Sequence, residues 1–195
     1  QHKWNRKSKT PELPVFTLNH SISKAGVLGS DYSIQHTEFS YRQRLMAAPV
    51  GYFDVMLRAG KIWGQAPYPL LIIPNANLSY TYRKETFETM TPMEFVLDQH
   101  LTWDVVYYMN GLIFNRTPLI KNLKLREVLY CRGTWGSLND RNNPAIDTSG
   151  KIFSYPTGRS QATGTVMKEP FVEIGAGVEN IFKIMSINWF KRMTY

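Results

Sequence analysis

Asp98, His100 and Asp104 are the side chains whose types and spacing could do chemistry. A carboxylate–imidazole group of this kind can hold a metal or move a proton. All three occupy even positions of one alternating segment, so on a strand they would share a face. Strand residues two apart lie about 7 Å apart and residues six apart about 20 Å, which puts Asp104 out of reach of Asp98. The spacing therefore predicts a polar face turned to water or to a lumen, not a site. His2, His20 and His36 are dispersed, without ligand spacing. Cys131 is the single cysteine. It excludes an intrachain disulfide framework and a CxxC site, has no activating neighbour in sequence, and reads as an inert packed thiol. No GxSxG, no P-loop and no GxGxxG after a strand occurs, and no Ser and His stand in a recognisable local arrangement. The sequence assigns no catalytic residue, no metal ligand and no cofactor, and an enzyme is not expected.

Charge gives a second clue. Lys plus Arg number 23 against 15 Asp plus Glu, a net +8. The densest patch is terminal, where Lys3, Arg6, Lys7 and Lys9 surround Trp4; Lys61, Arg83, Lys84, Lys121, Lys124, Arg126, Lys191 and Arg192 are scattered. No RNP-like aromatic motif or helix-turn-helix spacing accompanies them, so nucleic acid is not an expected partner. A solvated tail is one reading. Contact with lipid head-group phosphate is another, at about 1 kcal/mol per nearby cation.

The elements that must carry these groups are strands. The chain has 195 residues, 43% hydrophobic and 19% charged, with 11 Tyr, 10 Phe and 5 Trp, which argues for an ordered core. No run of 18 apolar residues exists, so no transmembrane helix is expected; the greasiest stretch, 67–74, is broken by prolines. The opening QHKWNRKSK has no apolar h-region, and no signal peptide is expected within this chain. Membrane strands need only about 9–11 alternating residues, which hydropathy averages miss.

Residues 93–109 alternate most clearly. Among the odd positions, Met93, Phe95, Leu97, Leu101, Trp103, Val105, Tyr107 and Met109 are apolar and only Gln99 is not, while the even positions are mostly polar. Period two marks a strand with one greasy and one wet face. A partial helical stripe (Met93, Val96, Leu97, Leu101, Val105, Tyr108) competes, but the β-branched and aromatic content favours strand. Residues 53–59, 172–179 and 185–195 alternate likewise, and 32–45 and 123–135 do so more weakly. Six or seven strands are expected in all. Residues 1–31 read as an arm or loop with room for a strand near 13–18. Residues 136–159 read as a long polar surface loop, 64–91 as a long apolar and aromatic loop that folds back onto something, and 118–123 as one helical turn.

Three stretches resemble a known family: AGKIWGQAPYPLL (59–71) leading into IPNAN (73–77); NGLIFNRTPLIK (110–121) followed by LKLREV (123–128); and GVENIFKI (177–184) closing on NWFKRMTY (188–195). Together they resemble the C-terminal barrel region of a Bacteroidota outer-membrane family of unknown function whose members carry a carboxypeptidase-regulatory-like N-terminal domain. The resemblance covers roughly 41–195. It implies a β-barrel in the outer membrane with a non-catalytic β-sandwich ahead of it. The third stretch is more distantly similar to the closing strands of the outer-membrane insertase superfamily of the BamA and TamA kind. The chain departs from the family in lacking the sandwich and most of the barrel. It also ends where the family continues through another strand, so it reads as a fragment lacking the final strand.

The expectation is thus an all-β fold: an antiparallel transmembrane β-barrel, the C-terminal part of a larger barrel, with an arm over 1–31, barrel strands over 32–195 and long extracellular loops. Phe95, Leu97, Leu101, Trp103 and Val105 are expected to face lipid, and Trp63, Tyr107, Tyr108, Trp189 and Tyr195 to form interfacial girdles. The expected location is the cell outer membrane. The expected partners are outer-membrane lipid and other outer-membrane or periplasmic proteins in a complex. The role would be structural, in transport or in envelope assembly, without covalent chemistry. The alternative is a soluble β-sandwich or barrel that binds a ligand or protein partner, with its greasy faces packed inward.

Overall fold

The computed structural model describes residues 13–146 and 166–194. They form β1 (Val15–Ser23), β2 (Ile34–Met46), β3 (Tyr52–Trp63), β4 (Gln99–Tyr108), β5 (Arg126–Ser137), β6 (Phe171–Ile181) and β7 (Met185–Arg192). The fold is all-β apart from short 3-10 turns, one of them at Lys121–Leu123, within the expected helical turn. No helix among the described residues is long and apolar enough to cross a membrane.

The strands make one sheet in sequence order, each antiparallel to the next. Successive strands reverse direction, so the connections alternate between the two ends of the sheet. Segments 47–51, 109–125 and 182–184 lie at one end; 24–33 lies at the other, where 64–98 and the connection from β5 to β6 also start and finish. The tight connection 47–51 needs Gly51, whose φ is +114° and where a β-carbon would collide with the Tyr108 carbonyl. Among the described residues the sheet does not close on itself; β1 and β7 are its edges.

The strand expected over 93–109 is shorter than its alternation. Met93 has φ 60°, a left-handed conformation incompatible with a continuous strand. Leu97 then leaves the β3–β4 ladder and exchanges two backbone hydrogen bonds with Ile72, both 2.9 Å. Phe95 and Leu97 consequently do not face outward. They are fully buried with Phe87, Met90, Met167 and Phe171. Their expected lipid-facing role is overturned, because a period-two pattern cannot register a turn that carries the same residues under a loop.

A second cluster gathers Ile34, Ile62, Ala66, Tyr68, Leu71, Val96 and Leu138, and a third Val106, Val128 and Tyr130 with Tyr82, Tyr108 and Phe190. The sheet residues among them lie on one face, covered by segment 64–98. The expectation that this long loop folds back is met: its buried Tyr68, Leu71, Phe87 and Met90 supply much of the core.

Candidate functional site: an apolar outer face and a charged inner face

The registers set side chains in rows across the sheet. One outward row runs Leu18, Phe39, Ala59, Leu101, Trp135; the next Phe16, Tyr41, Leu57, Trp103, Gly133, Val172. A third reads Gln43, Val55, Val105, Cys131, Ile174, Lys191, and a fourth Leu45, Phe53, Tyr107, Leu129, Ala176, Trp189. Nothing among the described residues covers this face: Leu18 is 69% exposed and Trp135 55%. The apolar band stops at a polar row, His20, Thr37, Lys61, Gln99, Ser137. There the half-exposed Trp63 donates from Nε1 to Thr37 Oγ1 at 2.9 Å, with the Lys61 ammonium 4.7 Å from its ring centre. At the other end the Phe53 and Tyr107 rings stack with centroids 4.3 Å apart, and the Tyr107 hydroxyl donates to the Val50 carbonyl at 2.8 Å.

Of the side chains singled out in the sequence, Leu101, Trp103, Val105, Tyr107, Trp63 and Trp189 share this outer face. Tyr108 does not. One position on from Tyr107, it points to the opposite face, half-buried beside Val106, Val128 and Tyr130. Tyr195 lies outside the described residues. Cys131 is exposed on the outer face between Val105 and Ile174, not packed inside.

The inner face is charged. One row reads Arg42, Met56, Asp104, Arg132, Glu173, Arg192. Arg132, 1% exposed, donates from Nε to Asp104 Oδ1 at 3.0 Å, from Nη1 to the Thr86 carbonyl at 2.9 Å and from Nη2 to the Tyr82 hydroxyl at 2.5 Å. Its Nη1 lies 3.9 Å from both Glu88 and Glu173, and the guanidinium sits over the Tyr82, Tyr130 and Phe190 rings. Burial pushes the Tyr82 hydroxyl pKa up, while the neighbouring guanidinium pulls it down. Glu173 accepts from the backbone N–H of Glu88 and Thr89 and from Thr89 Oγ1 at 2.8 Å.

Segment 64–98 is therefore clamped to the wall by ions. Glu85 meets Arg42 at 2.5 Å and Arg58 at 3.1 Å; Glu94 meets Arg192 at 2.5 Å. Sequence reasoning passed over Arg132, Glu173, Glu85, Glu88 and Glu94, and placed Arg192 only among scattered cations. A signal was present in the strand-borne ones: a lone charge inside an otherwise apolar strand, as Arg132 in LYCRGTW, must either face a wet lumen or be paired.

The Asp98–His100–Asp104 group does not converge. Asp98 Oδ2 accepts from Asn139 N at 3.1 Å, Asn139 Nδ2 at 2.5 Å and Asn142 Nδ2 at 3.0 Å, which ties the end of the long segment to the chain after β5. Asp104 belongs to Arg132. His100 lines a cavity of about 310 Å³ between the folded-back segment and β2–β5, with Glu38, Arg58, Glu85 and Arg132 also on its walls. Among the described residues no three His, Cys, Asp or Glu side chains form a metal-holding group.

Fold and faces together define a class: an antiparallel β-meander that is apolar outside and ionically filled inside. Within that class the chain has a family. Residues 2–137 match the C-terminal domain of a family of unknown function, DUF5686, and the chain belongs to that family. Neither a curated protein nor a solved structure matches it.

Proposed function

We propose that this chain is part of the wall of an outer-membrane β-barrel, in contact with lipid on its outer face. It carries a structural, transport or envelope-assembly role without covalent chemistry. One observation carries the reading: the four outward rows, apolar except for Gln43 and Lys191 at the two ends of one of them, run uncovered across the sheet while the face behind them is charged and filled. A soluble sandwich buries its greasy face against a second sheet. Here the greasy face is the bare one, an extent of exposed apolar surface that marks an interaction or membrane face. Strands of 8 to 13 residues suit a crossing that needs about 9–11. The two shortest connections, 47–51 and 182–184, lie at one end and the two longest, 64–98 and the one from β5 to β6, leave from the other, which suits short periplasmic turns and long external loops. The free edges of β1 and β7 call for further strands to complete the cylinder, and other envelope proteins are candidate partners.

Cys131 offers the test. The full-length protein, with any other cysteine replaced, is labelled at Cys131 with an environment-sensitive fluorophore and reconstituted into phosphatidylcholine vesicles. Quenching by lipids brominated on their acyl chains is expected. A label quenched only by aqueous iodide, on a protein that dissolves in plain buffer, would overturn the proposal in favour of a soluble ligand- or partner-binding sheet.

A further inference from the structure

We infer that the end of the sheet formed by segments 47–51, 109–125 and 182–184 docks onto anionic phospholipid head groups. The inference rests on the membrane reading above and names the lipid that this end selects.

Segments 47–51, 109–125 and 182–184 contain no Asp or Glu. They carry Arg116, Lys121, Lys124 and Lys183, all exposed, and none of these cations has an ion-pair partner among the described residues. Apolar side chains stand among them, also bare: Leu119 is 89% exposed, Phe182 78%, and Ile113, Leu123 and Ile184 are exposed too. An aqueous surface leaves such residues without a partner, whereas a head-group layer takes both kinds at once, apolar groups toward the acyl boundary and cations toward phosphate.

The geometry holds the patch together. Asn180 Nδ2 donates to the Lys124 carbonyl at 2.7 Å, joining the β6–β7 turn to the β4–β5 connection. Glu127, the first acid after that connection, lies buried against it. Its Oε1 accepts from the backbone N–H of Ile113 at 3.0 Å and Phe114 at 2.6 Å, so its charge is withdrawn from the surface. Glu179 stands opposite Arg126 in the register. The patch is also continuous with the outer apolar face, because Ile184 leads directly into Met185, Ile187 and Trp189 along β7. The other end differs: exposed acids stand among its cations, Asp31 in the connection that carries Lys24 and Asp140 beside Arg141.

Each basic side chain at an anionic lipid surface strengthens association by about fivefold, so four give well over tenfold at low salt, and less as salt screens them. The test reconstitutes the full-length protein in equimolar phosphatidylcholine and phosphatidylglycerol vesicles. It then measures retained lipid by native mass spectrometry after transfer to neutral detergent. Wild type should retain phosphatidylglycerol at least tenfold over phosphatidylcholine. The variant Arg116→Gln, Lys121→Gln, Lys124→Gln, Lys183→Gln should fall to near the bulk ratio with its β-sheet circular dichroism unchanged. A control, Lys24→Gln with Arg141→Gln at the opposite end, should keep the preference. Equal retention by wild type and the fourfold variant, or an equal loss in the control, would overturn the inference. So would a fourfold variant that changes oligomeric state and not lipid retention, which would assign the patch to a second copy. Vesicle flotation separates the two claims. Protein that floats without lipid preference sinks only this inference, whereas protein that does not float sinks the membrane reading with it.

Discussion

Arg132 and Asp104 face each other across β4 and β5 on the inner face, Nε to Oδ1 at 3.0 Å, in a setting that leaves Arg132 almost no solvent. A buried ion is tolerated only while its partners remain, and removing one partner of such a pair costs about 3–5 kcal/mol. Arg132→Ala and Asp104→Ala should each lower the unfolding free energy of the full-length protein in lipid by that order. The double variant should lose less than the sum of the two, because the groups share one interaction. Urea titration followed by tryptophan fluorescence reads all three. Strict additivity would mean that the pair is not coupled.

Glu85 and Glu94 should control how firmly segment 64–98 stays against the wall. Glu85 holds the guanidinium groups of Arg42 on β2 and Arg58 on β3, and Glu94 holds that of Arg192 on β7. A hydrogen bond to a charged group contributes about 1.5–3 kcal/mol. The Glu85 pairs are partly exposed and belong at or below the low end of that range. Glu94→Gln should therefore speed hydrogen exchange in the segment more than Glu85→Gln does. Exchange in β3 and β4 should stay near wild type in both. An unchanged segment in Glu94→Gln would show that apolar burial alone holds it.

Trp103 lies over Gly133, its cross-strand partner on the outer face, and a β-carbon at Gly133 would overlap the indole ring. Gly133→Val should force the ring off its rotamer at a cost of about 1–3 kcal/mol. Cys131→Val, two residues away on the same face and open to its surroundings, should be close to silent. Equal stability of the two variants in chemical denaturation would remove the role assigned to the glycine.

Val105→Arg should cost about 2–4 kcal/mol in a bilayer, since it sets a cation in the middle of the outward apolar band, and Leu101→Arg, in the row beside the polar one, should cost less. Thr102→Ser, on the opposite face, keeps the hydroxyl that meets Thr134 Oγ1 at 3.0 Å and should change little. Phe95→Ala should cost about 3–5 kcal/mol, because Phe95 is a core residue packed on Phe171 and not a lipid contact. A cost near zero for Phe95→Ala would return that residue to the surface.

Much of the wall was legible in the residues. Alternation is a local property imposed by the pleat, so Leu101, Trp103, Val105 and Tyr107 could be assigned to one face without any partner strand in view. The strands around 53–59, 172–179 and 185–195 followed from the same rule, and β1 falls where a strand near 13–18 had room to form. Tyr108 was lost by asking only whether a residue is aromatic and near a strand end. Its parity alone would have turned it inward.

What alternation could not carry was anything set by contacts distant in sequence. Phe95 and Leu97 continue the period of β4, yet they leave the sheet because Met93 turns and Ile72 offers Leu97 a backbone partner. The inner face was hidden for the same reason. Thr86 and Arg132 are 46 positions apart, and Glu94 and Arg192 are 98 apart. No short window contains both halves of such a pair. A charge in a strand says only that it needs a partner; which one it finds is decided when the chain folds back and desolvates them together.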